Sequence, residues 1–319
     1  MDILALHLQS FIDYGRLRNI RDNGLIREFE SSATPMIGRE LFYEILDSIH
    51  NTLKDDLLGI RVGRFLNLSA LGLIYQISMQ ASTMEEGIHY LKSFIDATIP
   101  IIHMSDETVG DKHIISLKID NDQKELNRMI LESVLTIISK ELMMMSQKSM
   151  EIRISSPCHH AGYPEMFYLD ETYSISFPDV ALKGAVKNQS DKHLDYLIPQ
   201  YLKMIEELKR TEDFVNKVKI AALNMATPAL PRLEDIADNF NLTPRTFQRT
   251  LAKEQTTFRQ VADDLKKDIS SLLLRNKQYS VTDISYLLGY SEPAAFFHSF
   301  NKWYGDPPAI VRSRILKAG

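Results

Sequence analysis

One segment is written twice in the C-terminal third of the chain, and this repeat restricts what that third can fold into. At an offset of 48, Leu233-Glu-Asp-Ile-Ala-Asp-Asn-Phe240 falls on Val281-Thr-Asp-Ile-Ser-Tyr-Leu-Leu288, pairing Asp235 with Asp283, Ile236 with Ile284, Leu242 with Tyr290 and Thr243 with Ser291. After one inserted residue the offset becomes 49, and Phe247 pairs with Phe296 and Leu251 with Phe300. Both copies predict helix, short polar turn, helix.

In the first copy Leu233, Ile236, Ala237 and Phe240 recur at i, i+3, i+4 and i+7, the apolar stripe of a short helix. Asn241-Leu242-Thr243 makes the turn, and Thr243 before Pro244 predicts an N-cap with proline at the first helical position. Phe247 and Leu251 then point inward, which sets Arg245, Arg249 and Lys253 on the opposite side and Gln248 on the flank. The second copy keeps the scaffold with Ile284, Leu287 and Leu288, a turn at Gly289-Tyr290-Ser291, and Phe296, Phe300 and Trp303 facing in. Its outward face is Ala294, His298, Asn301 and Lys302, with Phe297 on the flank.

A short helix pair whose second helix leaves one face free is the unit that enters the DNA major groove. The candidate contact residues are Thr243, Arg245, Gln248, Arg249 and Lys253 in the first unit and Ser291, Ala294, Phe297, His298 and Lys302 in the second. Arginine forks onto guanine and glutamine onto adenine, whereas phenylalanine offers only apolar contact with a thymine methyl. The first unit is therefore expected to discriminate bases more strongly. Between the copies, residues 257–275 contain neither Gly nor Pro and carry apolar residues at helical spacing. A helix of that length spans about 28 Å, a spacer fit to set two readers roughly one DNA turn, about 34 Å, apart. The alternative is a pair of packed helical hairpins that never meets DNA.

Charge separates the chain in the same place. Residues 215–319 hold 15 Lys and Arg against 10 Asp and Glu, while residues 1–214 hold 22 against 32, so the repeats lie in the basic part of a chain whose net charge is −5. That asymmetry favours polyanion binding by the C-terminal part. A chain of 319 residues, 44% hydrophobic and 25% charged, has the length and composition of two globular domains. No apolar run is long enough to span a bilayer, and Met1-Asp-Ile-Leu-Ala-Leu-His lacks the basic start of a signal peptide. With a single cysteine, Cys158, no intramolecular disulfide can form, and a cytoplasmic location without membrane association is expected.

From about Asn216 to Leu316 the sequence resembles the DNA-binding domain of the AraC/XylS transcriptional regulators, through LEDIADNFNLTPRTFQRTLAKEQTTF at 233–258 and VTDISYLLGYSEPAAFFHSFNKWYGDPPAIVR at 281–312. The resemblance implies groove-facing roles for Arg245, Gln248, Arg249, Ala294, Phe297 and His298. It also implies double-stranded DNA and RNA polymerase as partners and the regulation of transcription, as activator or repressor, as the activity. Gln255 stands where the pattern has glycine, Ser285 where it has alanine, His298 where it has arginine and Asn301 where it has lysine.

Residues 1–212 read as an α+β domain, followed at 213–319 by an all-α domain of two helix-turn-helix units, 233–254 and 281–304, joined by the helix at 257–275. In the front domain, 35–53 and 68–81 have helical spacing, Ser82-Thr-Met-Glu85 predicts a capping box opening a helix through Ala97, and 122–147 predicts a long helix. His113–Asp120 and Glu151–Ser155 predict strands, and 191–210 a closing helix bent at Pro199. LLGIRVGRFLNLSALGLIYQISMQASTMEEGIHYL at 57–91 and GYPEMFYLDETYSISF at 162–177 resemble the effector domain of a subgroup of the same regulators. This implies a domain that binds a small organic effector or a second copy of the chain. Arg61, Arg64 and His103 are candidate carboxylate anchors, and Met143-Met144-Met145 suits either an adaptable pocket or ordinary core filling.

Pro157-Cys158-His159-His160 is similar to the alkyl-acceptor motif of DNA repair proteins, but His160 stands where that motif has arginine, and one cysteine cannot form the accompanying zinc cluster. Adjacent Cys and His side chains rarely converge on one metal, and no H-E-x-x-H or C-x-x-C is present. Neither nucleotide-binding glycine motif occurs, nor does a nucleophile elbow. No enzyme, cofactor or metal is therefore expected.

Overall fold

A computed structural model of the chain describes residues 2–21, 23–32, 35–65, 81–146, 150–184, 207–208, 211, 213–226, 230–275 and 279–318. The chain divides into two compact units, residues 1–195 and 196–319. The first combines helices with sheet and the second is helical throughout its described residues, as the sequence patterns predict.

The first unit opens with β1 (Asp2–Leu4), α1 (Ala5–Leu17), α2 (Gly24–Ser32), β2 (Met36–Gly38), α3 (Arg39–Leu53) and α4 (Leu58–Phe65). Strands β1 and β2 pair antiparallel. The helix expected from residue 35 thus begins at Arg39, because Met36–Gly38 pairs with the N-terminal strand, a partner that periodicity cannot reveal. Next come α5 (Met84–Thr98), β3 (His103–Val109), β4 (Lys112–Lys118), α6 (Lys124–Met145), β5 (Arg153–Ser156), β6 (Phe167–Leu169) and β7 (Tyr173–Pro178). The five later strands form one sheet in the order β3-β4-β7-β5-β6, antiparallel except for the parallel β5–β6 pair. Ile115, Ile175 and Ile154 stand opposite one another across β4, β7 and β5, and all three are fully buried. Helix α6 packs on these strands.

Two expected elements, at 68–81 and 191–210, fall largely outside the described residues. The cap of α5 is displaced by one position from the expected box. Thr83 accepts from Glu86 N at 3.2 Å, and Glu86 accepts from Ser82 N at 2.7 Å. Thr83 is thus the N-cap, and the Glu86 carboxylate reaches back past it to the Ser82 amide, in place of an exchange between Ser82 and Glu85.

Helices α4 and α6 approach unusually closely, and two glycines one helical turn apart permit it. A Cβ on Gly59 would lie 2.3 Å from the Met129 carbonyl oxygen, and one on Gly63 would lie 2.6 Å from that of Ser133. Both stand on the face of α4 that meets α6. Beside this contact Asp55, itself buried, accepts hydrogen bonds from Arg61 and from Arg18, the latter at 3.1 Å. A buried carboxylate needs such partners, since an unpaired charge in the interior is costly.

Helix α1 contributes His7, whose Nε2 lies 2.9 Å from Thr98 Oγ1. That hydroxyl donates to the Phe94 carbonyl at 2.8 Å, so the imidazole Nε2 is the donor to it. Burial lowers the His7 pKa to about 4, which leaves the ring neutral in the folded chain, whereas the unfolded chain binds this proton near the ordinary histidine value of about 6.5. Between those two pH values the unfolded state holds more protons, so lowering the pH from 6.5 towards 4 removes stability, by about 1–3 kcal/mol from this group. Burial of Glu132 raises its pKa and acts with the opposite sign, so a variant isolates the histidine. Urea midpoints at pH 7 and pH 4.5 are expected to drop less for His7→Gln than for the parent chain; equal drops would contradict the assignment.

Candidate nucleic-acid interface

The second unit holds α7 (Phe214–Met225), α8 (Leu233–Asn239), α9 (Pro244–Lys253), α10 (Phe258–Arg275), α11 (Val281–Leu287), α12 (Pro293–Tyr304) and α13 (Pro308–Ala318). The repeat therefore folds as α8–turn–α9 and α11–turn–α12. At the equivalent point of each turn the backbone enters the left-handed region, at Asn241 (φ 54°) and Gly289 (φ 78°), a conformation that asparagine tolerates and glycine adopts freely. The N-caps of the second helices are Thr243 and Glu292, which are 49 positions apart, so the extra residue lies in the second turn.

Thr243 caps α9 by accepting from Thr246 N at 3.2 Å. Phe247, Leu251, Phe296 and Phe300 are fully buried. Phe247 sits among Phe240, Phe214 and Phe258 at centroid distances of 5.6, 5.5 and 6.1 Å. Phe296 and Phe300 lie 5.5 Å apart, and Tyr304 stacks on Phe300 at 4.5 Å. Trp303, expected to face inward, is half-buried at the edge of that cluster.

With one face of each helix held in this way, the opposite face is open. Arg245, Gln248, Arg249 and Lys253 are exposed on α9, and Ala294, Phe297, His298 and Lys302 on α12. None of the four on α9 makes a hydrogen bond or ion pair among the described residues, so their donors are free for an external acceptor. Ser291 is also exposed, but it precedes the cap residue of α12 instead of occupying the position of Thr243, because of the extra turn residue.

The connecting helix α10 has 18 residues, about 27 Å at 1.5 Å per residue. Its first turn touches the first helix-turn-helix through Phe258 and Phe247. Further along, Lys266 lies over the Tyr290 ring at 4.3 Å, and Tyr304 donates to the Lys267 carbonyl at 2.9 Å. Gln255, in the turn that leads from α9 to α10, has φ 58°. The position where the sequence pattern has glycine is thus a left-handed one, and glutamine occupies it under strain.

The other sequence candidates lie in the first unit. Arg61 is buried against Asp55 and is not an open carboxylate anchor. His103 is exposed, 3.9 Å from Asp120, and the backbone carbonyl of Arg64 accepts from Lys140. Met145 is fully buried, whereas Met143 is exposed, so the methionine run follows the two sides of α6. Cys158 is half-buried with its sulfur 3.7 Å from Tyr173 Oη, and His159 and His160 pack against Tyr163 at 5.2 and 4.7 Å. Among the described residues no cluster of His, Cys, Asp and Glu suits a metal, and no helix is long and apolar enough to cross a membrane. An apolar cavity of about 40 Å³ lies among Phe11, Phe42, Leu91, Phe94 and Ile138 beside His7. It is well below the ~150 Å³ that admits a benzene ring.

Two helix-turn-helix units on one connecting helix, each with an open second helix, have the layout of the motif that docks a helix in the DNA major groove. Residues 236–314 match the helix-turn-helix domain family. The C-terminal unit thus contains a helix-turn-helix domain. Over 127 residues the chain is 32% identical to an uncharacterized HTH-type transcriptional regulator of Mycobacterium tuberculosis, a match covering 40% of this chain and 37% of that protein. The aligned part thus spans little more than a third of that relative. Over 83 residues it is 41% identical to the HTH-type transcriptional regulator VqsM of Pseudomonas aeruginosa, with 26% of each covered. A longer match, 22% identical over 277 residues, covers 80% of this chain and 78% of the ornithine utilization regulator of P. aeruginosa. Among solved structures, the transcriptional regulator CdpR from P. aeruginosa aligns with 97% of this chain and 98% of its own at a TM-score of 0.43 and 18% identity.

Proposed function

We propose that the chain is a sequence-specific, cytoplasmic transcriptional regulator and not an enzyme. It reads a bipartite site in double-stranded DNA through residues 213–319 and is controlled by a small organic effector bound within residues 1–212. The observation that carries the DNA reading is the pair of open faces on α9 and α12, held by buried aromatic residues and joined through α10. Arg245, Gln248, Arg249 and Lys253 act as base and phosphate contacts in the first half-site, capped by Thr243. Ala294, Phe297, His298, Lys302 and Ser291 face the second. On this reading it regulates transcription, with RNA polymerase as a partner.

Phosphate contacts release counterions, so affinity for a bound promoter fragment is expected to fall steeply with salt, by about 10³-fold or more between 50 and 200 mM if six or more phosphates are engaged. Titration by fluorescence anisotropy measures this directly. Salt-independent binding would remove the electrostatic basis of the reading.

The effector-responsive role of the first unit rests on the resemblance of 57–91 and 162–177 to an effector domain, and the match to the ornithine utilization regulator is long enough to reach into that unit. The alternative is a front domain that only dimerises or docks a protein. The 40 Å³ cavity beside His7 is too small for an organic effector without rearrangement. A ligand that binds only the folded state raises the melting temperature, so a thermal-shift screen of the full chain against amino acids, organic acids, fatty acids and sugars separates the two. We expect a dose-dependent rise with one class; no rise, together with a concentration-dependent dimer, would favour the alternative.

A further inference from the structure

The residue that closes the first recognition helix, Glu254, is disfavoured by its own helix. As the C-cap of α9 it places a carboxylate at the negative pole of the helix dipole. Its partners lie 40 residues earlier in the chain. Glu254 Oε1 accepts from Phe214 N at 3.0 Å and Oε2 accepts from Val215 N at 3.1 Å. These two N–H groups open the first turn of α7, where no acceptor exists within the helix itself. Asp213 takes a third, accepting from Asn216 N at 2.7 Å. The carboxylate therefore sits at the positive pole of α7 while ending α9, and the tertiary contact accounts for a residue type that local helix preference does not. The adjoining Phe214 ring meets Phe240 and Phe247 edge-on at 5.2 and 5.5 Å. Phe240 ends the first helix of the unit, and Phe247 is the buried centre of the recognition helix.

We propose that Glu254 and Phe214 are positioning residues that set the pose of the first recognition helix, and that a displacement at the start of α7 reaches that helix before the second. This rests on the reading of the second unit as a DNA reader. Both anchors join the start of α7 to α9 and its aromatic core. The second recognition helix, α12, is tied instead to α10, through Tyr290 under Lys266 and through Tyr304 on the Lys267 carbonyl. A displacement at the start of α7 therefore reaches Arg245, Gln248 and Arg249 first.

The test uses the full chain with Glu254→Ala and Glu254→Gln. In the free protein, amide hydrogen exchange in Glu254→Ala should quicken at Phe214 and Val215 and along Phe247–Lys253, while α12 stays as in the parent. On a bound promoter fragment, the same variant should lose about tenfold in affinity, with weakened protection confined to one half-site. Glu254→Gln, which keeps one acceptor oxygen, should recover part of both effects. A general loss of stability would not produce this half-site asymmetry. Unchanged exchange in α9, or equal change in α9 and α12, would overturn the positioning role. If exchange behaves as expected but the parent chain protects no DNA, the DNA reading fails while the positioning stands.

Discussion

Replacing Arg245 and Arg249 together by alanine is expected to abolish protection of one half of the bound DNA site and to lower overall affinity by on the order of 100-fold or more. Each bidentate arginine–guanine pair contributes about 1–3 kcal/mol of discrimination, and removing a side chain that neutralises one phosphate reduces the salt slope by about one. Both side chains are exposed, and surface substitutions of that kind usually change stability by no more than about 0.5 kcal/mol. The loss therefore belongs to binding, and an unchanged melting curve provides the control. His298→Ala is expected to cost less, because Phe297 and Ala294 beside it offer the second half-site only apolar contact. Footprinting at several salt concentrations, with mismatches placed in each half-site, measures both effects. Protection insensitive to the double change, or a greater loss of discrimination from His298→Ala, would sink the assignment of the stronger reader to α9.

A single added methyl group at Gly59 is expected to destabilise the first unit by about 3 kcal/mol or more, at or above the upper end of ordinary overpacking costs. The new Cβ would stand 2.3 Å from a backbone oxygen and 2.7 Å from the Cα of Met129, and neither can rotate away as a flexible side chain would. Helix α4 must then separate from α6, and the partly relaxed contact forfeits dispersion along its length. Gly24→Ala supplies the contrast, since nothing lies within 4 Å of a Cβ built there and the residue opens α2. It is expected to be neutral or to gain about 0.5 kcal/mol from the reduced freedom of the unfolded chain. Urea denaturation followed by far-ultraviolet circular dichroism distinguishes them; equal midpoints would mean that the α4–α6 contact relaxes easily.

The second unit was legible because its signals are local. A cap such as Thr243 with Pro244, an inward pair such as Phe247 and Leu251, and a left-handed turn residue such as Asn241 each act within a few residues, and the repeat states them twice. The first unit was legible only where a strand is half-buried or a helix long. Strand β4, with His113, Ile115 and Leu117 on its buried face, shows the alternation expected of a half-buried strand. Strand β3 reads His-Met-Ser-Asp-Glu-Thr-Val and has only Met104 buried. As an edge strand with charged side chains it carries no alternation to detect. Likewise, the helix spacing that ran back to residue 35 could not anticipate that Met36–Gly38 pairs with Asp2–Leu4.

Sequence alone determined that residues 233–304 form two helix-turn-helix units with arginine and glutamine on one outward face and histidine and phenylalanine on the other. Those features depend on backbone periodicity and capping, which are short-range. Only the tertiary structure decided which polar groups are open and which are taken. Arg61 carries the same charge as Arg245, yet it is spent on a buried Asp55 reached across a loop. Glu254 looks like a surface residue, yet it accepts the first two amides of a helix that begins 40 positions earlier. Whether a charge is free depends on what the fold brings within about 3 Å of it, and that distance has no counterpart along the chain.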